Sequence, residues 1–75
     1  MNADDQLDLR GVPCPANAAR AVLQLSMMSA GEVLLVSLDD GEPVENVSRS
    51  IEVAGHEIVR REREGESWKF WVRAG

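Results

Sequence analysis

The sequence predicts an α/β two-layer sandwich: a mixed four-stranded sheet with two helices on one face, in the order β-α-β-α-β-β. Three observations predict it. Two stretches with helical spacing of apolar residues each begin at a proline, Pro15 and Pro43. Glu32 to Leu38 is apolar on both alternations, as a strand in the middle of a sheet must be when each face is at least partly covered. The last third of the chain alternates with period two on both sides of Glu64-Gly65-Glu66, which reads as a hairpin. There is no internal repeat and no linker, so both helices and all four strands share one core.

Each element follows from local chemistry. Gln6 to Arg10 alternates polar and apolar, a short strand with Leu7 and Leu9 facing inward. Gly11-Val12-Pro13 breaks it. In the run from Ala16 to Met28, Ala18, Ala21, Val22, Leu25 and Met28 form a helical stripe that Ser29-Ala30-Gly31 stops. After the central strand, Asp39-Asp40-Gly41-Glu42 turns the chain into a second helix, with Val44, Val47, Ile51 and Ala54 at helical spacing up to Gly55. His56 to Arg63 and Ser67 to Arg73 are the hairpin strands. Trp68, Phe70 and Val72 mark one face and Lys69, Trp71 and Arg73 the other.

Composition narrows the class. The 75 residues make one domain over residues 1–75, with residues 1–5 expected to be disordered. A chain this short buries only about 60 to 65% of its unfolded surface, which leaves a margin of a few kcal/mol. A disulfide within the chain cannot add to it, because Cys14 is the sole cysteine. One cysteine and one histidine, His56, also fall short of a zinc site. A lone thiol, together with a start that has no basic-then-apolar pattern, predicts a cytoplasmic protein. The longest apolar stretch, Val33 to Val36, is far below the roughly 18 residues of a membrane span, so a soluble domain with no membrane role is expected. A net charge of −5 argues against direct nucleic-acid binding. Arg60, Arg61 and Arg63 are interleaved with Glu57, Glu62, Glu64 and Glu66, which favours a solvated, internally neutralised strand face over a binding patch.

The chemistry centres on Cys14. With Pro15 as first helical residue, Cys14 becomes the N-cap, its sulfur at the positive end of the helix, where the macrodipole and free N–H groups favour a thiolate. A free cysteine is more often a small buried hydrophobe. Two flanking prolines and an N-cap position instead favour a reactive thiol. A Cys-x-x-Cys dithiol is excluded, since the fourth position is Asn17.

Leu7-Asp8-Leu9-Arg10-Gly11-Val12-Pro13-Cys14-Pro15 resembles the opening of the TusA/SirA-like family of sulfur carriers, whose hallmark is Cys-Pro-x-Pro between the first strand and first helix. The likeness continues through Gly31-Glu32-Val33-Leu34, Asp39-Asp40, Asn46-Val47 (often Asp-Ile in the family) and Gly55-His56. The resemblance implies the same fold and a sulfurtransferase function without a cofactor. The cysteine at the position of Cys14 takes a persulfide sulfur from a donor of the cysteine desulfurase type and passes it to a protein acceptor. Two departures stand out. Asn17 replaces the motif's second proline, giving a Cys-Pro-x-Asn variant, and Val22-Leu23 stand where the family has basic residues, with only Arg20 nearby.

On this reading Cys14 is the nucleophile, Pro13 and Pro15 hold it, and the N–H groups of Ala16 and Asn17 support the thiolate. As third helical residue, Asn17 also adds a side-chain amide that reaches back toward the sulfur. Arg20, Leu23 and Met27 form a candidate docking strip for the partners, or simply a wider core-facing stripe. Val33, Leu35 and Trp71 give the sheet an apolar outer face suited to dimerisation or protein binding, so a monomer or weak homodimer is expected. His56 either tunes the sulfur or, as its place after Gly55 favours, ends the second helix. Asp39 and Asp40 are expected to cap that helix. The rivals are a regulatory or protein-interaction module that moves no sulfur, and a one-cysteine peroxide reducer, which needs an Arg or His at the sulfur.

Overall fold

The computed structural model describes residues 2–75. Its elements are β1 (Asp5–Asp8), α1 (Ala16–Ser26), β2 (Val33–Asp39), α2 (Glu42–Val53), β3 (Glu57–Glu64) and β4 (Ser67–Arg73). The sheet order is β1-β2-β4-β3, with β1 parallel to β2 and both β4 contacts antiparallel. The expected two-layer architecture is therefore present. Because β1 and β2 are parallel, α1 must run back along the sheet to connect them, and α2 does the same between β2 and β3. Both helices consequently start at one end of the sheet, beside the last residues of β1 and β2.

The core lies between sheet and helices. Leu34, Val36, Leu38, Phe70 and Val72 supply the sheet side, and Ala21, Leu25, Val47 and Ile51 the helix side. Trp68 packs at the margin of this core, edge to face with Phe70 at a 6.2 Å centroid distance.

Several boundaries differ from expectation. β1 begins at Asp5, and Asp4 is tied to Val33 through a backbone bond and its carboxylate, so only Met1 of the expected disordered start lies outside the described residues. Leu9 lies past the ladder yet is fully buried, while Arg10 folds back in a bidentate pair on Asp8. Those hydrogen bonds from Arg10 hold the Asp8 carboxyl down at about 2. Helix α1 ends at Ser26, with Met27 as cap, so Gly31 is not its stop; at φ 91° it instead turns the chain into β2. Pro43 is the second residue of α2 rather than the first.

The end of α2 follows the expected glycine logic. Gly55 takes φ 94°, its N–H donates to Glu52, and the His56 N–H donates to Ile51, which closes a Schellman motif.

The hairpin carries a bulge. Ile58 pairs with Val72 and the next pair is Arg60 with Trp71, so Val59 is the extra residue. That residue shifts the side-chain alternation of β3. Arg60 comes over the Trp71 ring at 5.5 Å, Arg61 over Phe70 at 5.1 Å and Arg63 over Trp68 at 5.9 Å. Of the interleaved glutamates expected to neutralise the arginine cluster, Glu62 pairs with Arg60, while Arg63 pairs instead with Asp40, and Glu57 and Glu64 pair with Arg73 and Lys69 of β4; the arginines also shield aromatic rings, which alternation alone did not indicate.

Candidate functional site at the start of the first helix

Cys14 is a free, exposed thiol in the loop between β1 and α1, followed by a cis bond to Pro15. The loop is anchored on both sides. Leu9 N–H donates to Ser37, Gly11 N–H donates to the Asp39 carboxylate at 2.6 Å, and Val12 packs on the core. The loop is therefore held at the ends of β1 and β2, with the sulfur facing outward.

The N-cap is Pro15, not Cys14, and no side chain caps the helix. The first-turn amides are accounted for one by one. Asn17 N–H donates to the Pro13 carbonyl at 3.1 Å, Ala18 N–H to the Asn17 side-chain oxygen at 2.7 Å and Ala19 N–H to the Pro15 carbonyl at 3.1 Å. The fourth, the Ala16 N–H, has no protein acceptor among the described residues.

This revises the expected role of Asn17. It is the second helical residue, fully buried, with Oδ1 committed to Ala18 and Nδ2 without a partner. It belongs to the inward stripe with Ala21 and Leu25 rather than to the polar face with Arg20 and Gln24. The side chain that meets the sulfur is Asn46 from α2, whose Nδ2 donates toward Cys14 Sγ at 3.8 Å. The sequence offered a hint in Asn46-Val47, but linear spacing does not reveal that α2 packs beside α1 at this end.

With that geometry in place, the comparisons are informative. The profile described as Sulfurtransferase TusA matches residues 5–74. This chain belongs to the TusA sulfurtransferase family. A putative sulfur carrier protein of Archaeoglobus fulgidus is 36% identical over 97% of this chain and 84% of its own length. The sulfur carrier protein TusA of Allochromatium vinosum is 31% identical over 93% of this chain and 92% of its own. The crystal structure of a SirA-like protein from Desulfitobacterium hafniense superposes with a TM-score of 0.78 at 25% identity, over 95% of this chain and 97% of that one. The fold and a general sulfur-carrier role thus rest on nearly the whole chain.

Within this TusA-family chain the other candidates separate. Leu23 and Met27 are 60% and 68% exposed, which removes the alternative that they widen the core stripe. Arg20 is exposed and makes no ion pair among the described residues. His56 lies at the far end of α2, roughly 18 Å of helix from the start of that element, where its Nδ1 accepts the Gly75 N–H at 3.0 Å. It does not reach the sulfur. Neither aspartate caps α2: Asp39 holds Gly11, and Asp40 accepts from Trp68 Nε1 at 2.9 Å and Arg63 at 2.8 Å. The Trp68 bond first, and then Arg63, hold the Asp40 carboxyl below the usual range. Trp71 is only 9% exposed beneath Arg60, so the outer face offers much less apolar surface than expected. No helix among the described residues is long and apolar enough to cross a membrane.

Proposed function

We propose that this domain carries sulfane sulfur as a persulfide on Cys14, received from a cysteine desulfurase-type protein and delivered to an acceptor protein. The supporting observation is the exposed, unpaired thiol at the start of α1 in a chain of the TusA family. In loading, the Cys14 thiolate attacks the outer sulfur of the donor persulfide. A new S–S bond forms at Cys14, the donor's S–S bond breaks and its inner sulfur leaves as thiolate, while the outer sulfur keeps its proton. Discharge is the same exchange with an acceptor nucleophile, so neither step requires an oxidant or a cofactor.

The chain's own residues hold the sulfur in place. Pro13 and Pro15 restrict the loop, the anchored Gly11 fixes its base, and the Ala16 N–H, without a protein acceptor among the described residues, is free to bond a developing negative charge. Arg20, Leu23 and Met27, exposed on one side of α1, form the docking strip, with Arg20 suited to an acidic partner surface. The peroxide-reducer reading loses support, because no Arg or His is bonded to the sulfur among the described residues. A cytoplasmic setting suits the lone thiol.

Incubation with a cysteine desulfurase and free cysteine, followed by intact mass measurement, tests the reading. The parent gains one sulfur atom and Cys14→Ser gains none. Leu23→Glu/Met27→Glu loads from a small-molecule persulfide but poorly from the protein donor. A parent that gains no sulfur from any sulfane donor would leave the interaction-module reading standing instead.

A further inference from the structure

Among the described residues, Asn46 is the only side chain that hydrogen-bonds the Cys14 sulfur. It lies in the second turn of α2 and is half-buried. Its backbone is fixed by the core contacts of Val44 and Val47 on either side and by the Ser48 hydroxyl, which donates to the Val44 carbonyl. A donor from a different element is therefore held against the sulfur by tertiary packing.

We propose that Asn46 is the donor that stabilises negative charge on Cys14 Sγ, and that discharge of sulfur depends on it more than loading does. The inference rests on the persulfide reading of Cys14. An amide N–H bonds a thiolate more strongly than it bonds a neutral sulfur. In loading, Sγ begins as thiolate and ends as the neutral inner sulfur of the persulfide, so the bond weakens along the step. In discharge, the acceptor thiolate bonds the outer sulfur, the S–S bond breaks, and Sγ departs with the electron pair. The Asn46 bond strengthens as that charge develops, which is where a donor lowers a barrier.

The surrounding charges explain why a neutral donor suits this position. The charged residues at the ends that meet here are Asp8 and Arg10, paired with each other, Arg20 on α1, Asp39 at the end of β2, Asp40 just after it, paired with Arg63, and Glu42, Glu45 and Arg49 on α2. Carboxylates already outnumber guanidinium groups. An amide at position 46 donates without adding a further negative charge beside the sulfur; the aspartate that the family often carries here has no N–H to offer when ionised, so this donor belongs to this chain's Asn variant.

The test compares Asn46→Asp and Asn46→Ala with the parent. Alkylation of Cys14 by iodoacetamide is followed across pH, thermal unfolding is recorded, loading from a small-molecule persulfide is timed, and the persulfide-loaded protein is discharged to dithiothreitol. Asn46→Asp should alkylate about tenfold more slowly at pH 7, its pH curve displaced upward, as a charge about 4 Å from the sulfur implies. Asn46→Ala should show a smaller displacement in the same direction. In both, discharge should slow by a larger factor than loading. If Asn46→Asp does not fold, Asn46→Ala decides. Folded variants whose alkylation curves overlay the parent's overturn the assignment, even where sulfur loads normally. Displaced curves in a protein that never accepts sulfur uphold Asn46 as donor and overturn only the persulfide reading.

Discussion

Asn17 shows how a residue can sit in a functional motif and serve the fold. It is buried beneath the start of α1, two of its groups are bonded to neighbours, and its Nδ2 has no partner. Replacing it with proline removes the donor to Pro13 and the acceptor for Ala18, at about 1 kcal/mol each, and also removes a buried unpaired amide that costs about 1–3 kcal/mol. These effects offset each other. Asn17→Pro should therefore unfold in urea within about 1 kcal/mol of the parent, with the rate of Cys14 alkylation unchanged. A marked fall in that rate would show that Asn17 supports the sulfur after all. Cys14 itself was legible in the sequence because prolines announce a helix start. Asn46 was not, because a contact between residues 32 positions apart depends on how two helices pack rather than on spacing along either.

At the scale of elements, periodicity located every strand and helix, and its failures have physical causes. The sequence predicts a stop at Gly31 for helix α1, but its end is set where Met27 closes the last turn on Leu23 and Gln24. Strand β3 alternates only up to Val59, and the bulge there exchanges which side chains face which layer. A one-residue irregularity leaves almost no trace in a charged segment, so the placement of three arginines over three aromatic rings was hidden. The charges also protect an edge: β3 is an outer strand, and a row of Arg and Glu discourages pairing with another chain. The outer-face tryptophan consequently belongs to the stability of the sheet. Trp71→Lys should lower the unfolding free energy by about 3 kcal/mol, the scale for losing a buried aromatic, as measured by urea denaturation. A loss below about 1 kcal/mol would return Trp71 to the exposed surface.

The whole molecule has two ends with different duties. At one end lie the sulfur, Asn46 and the first turns of both helices. At the other, Ala74 exchanges backbone bonds with Gly31 and Glu32, and His56 receives the Gly75 N–H. His56→Ala should cost about 1 kcal/mol or less in urea unfolding and leave Cys14 alkylation as it is. A slowed thiol in that variant would mean that the two ends are coupled. This division follows from the topology, in which β1, β2 and β3 all run the same way, so that both helices return from the same edge.

On the proposed persulfide reading, the outward position of Cys14 bears on how long a cargo can last. An enclosed intermediate is protected by walls, whereas this sulfur stands on the surface of a protein with 75 residues, open to whichever nucleophile arrives. The lifetime of a loaded molecule is then a matter of competition: it shortens in proportion to the bystander thiols in solution and lengthens only while a partner covers the site. Fidelity in such a relay is kept by the speed of hand-over between bound proteins rather than by storage.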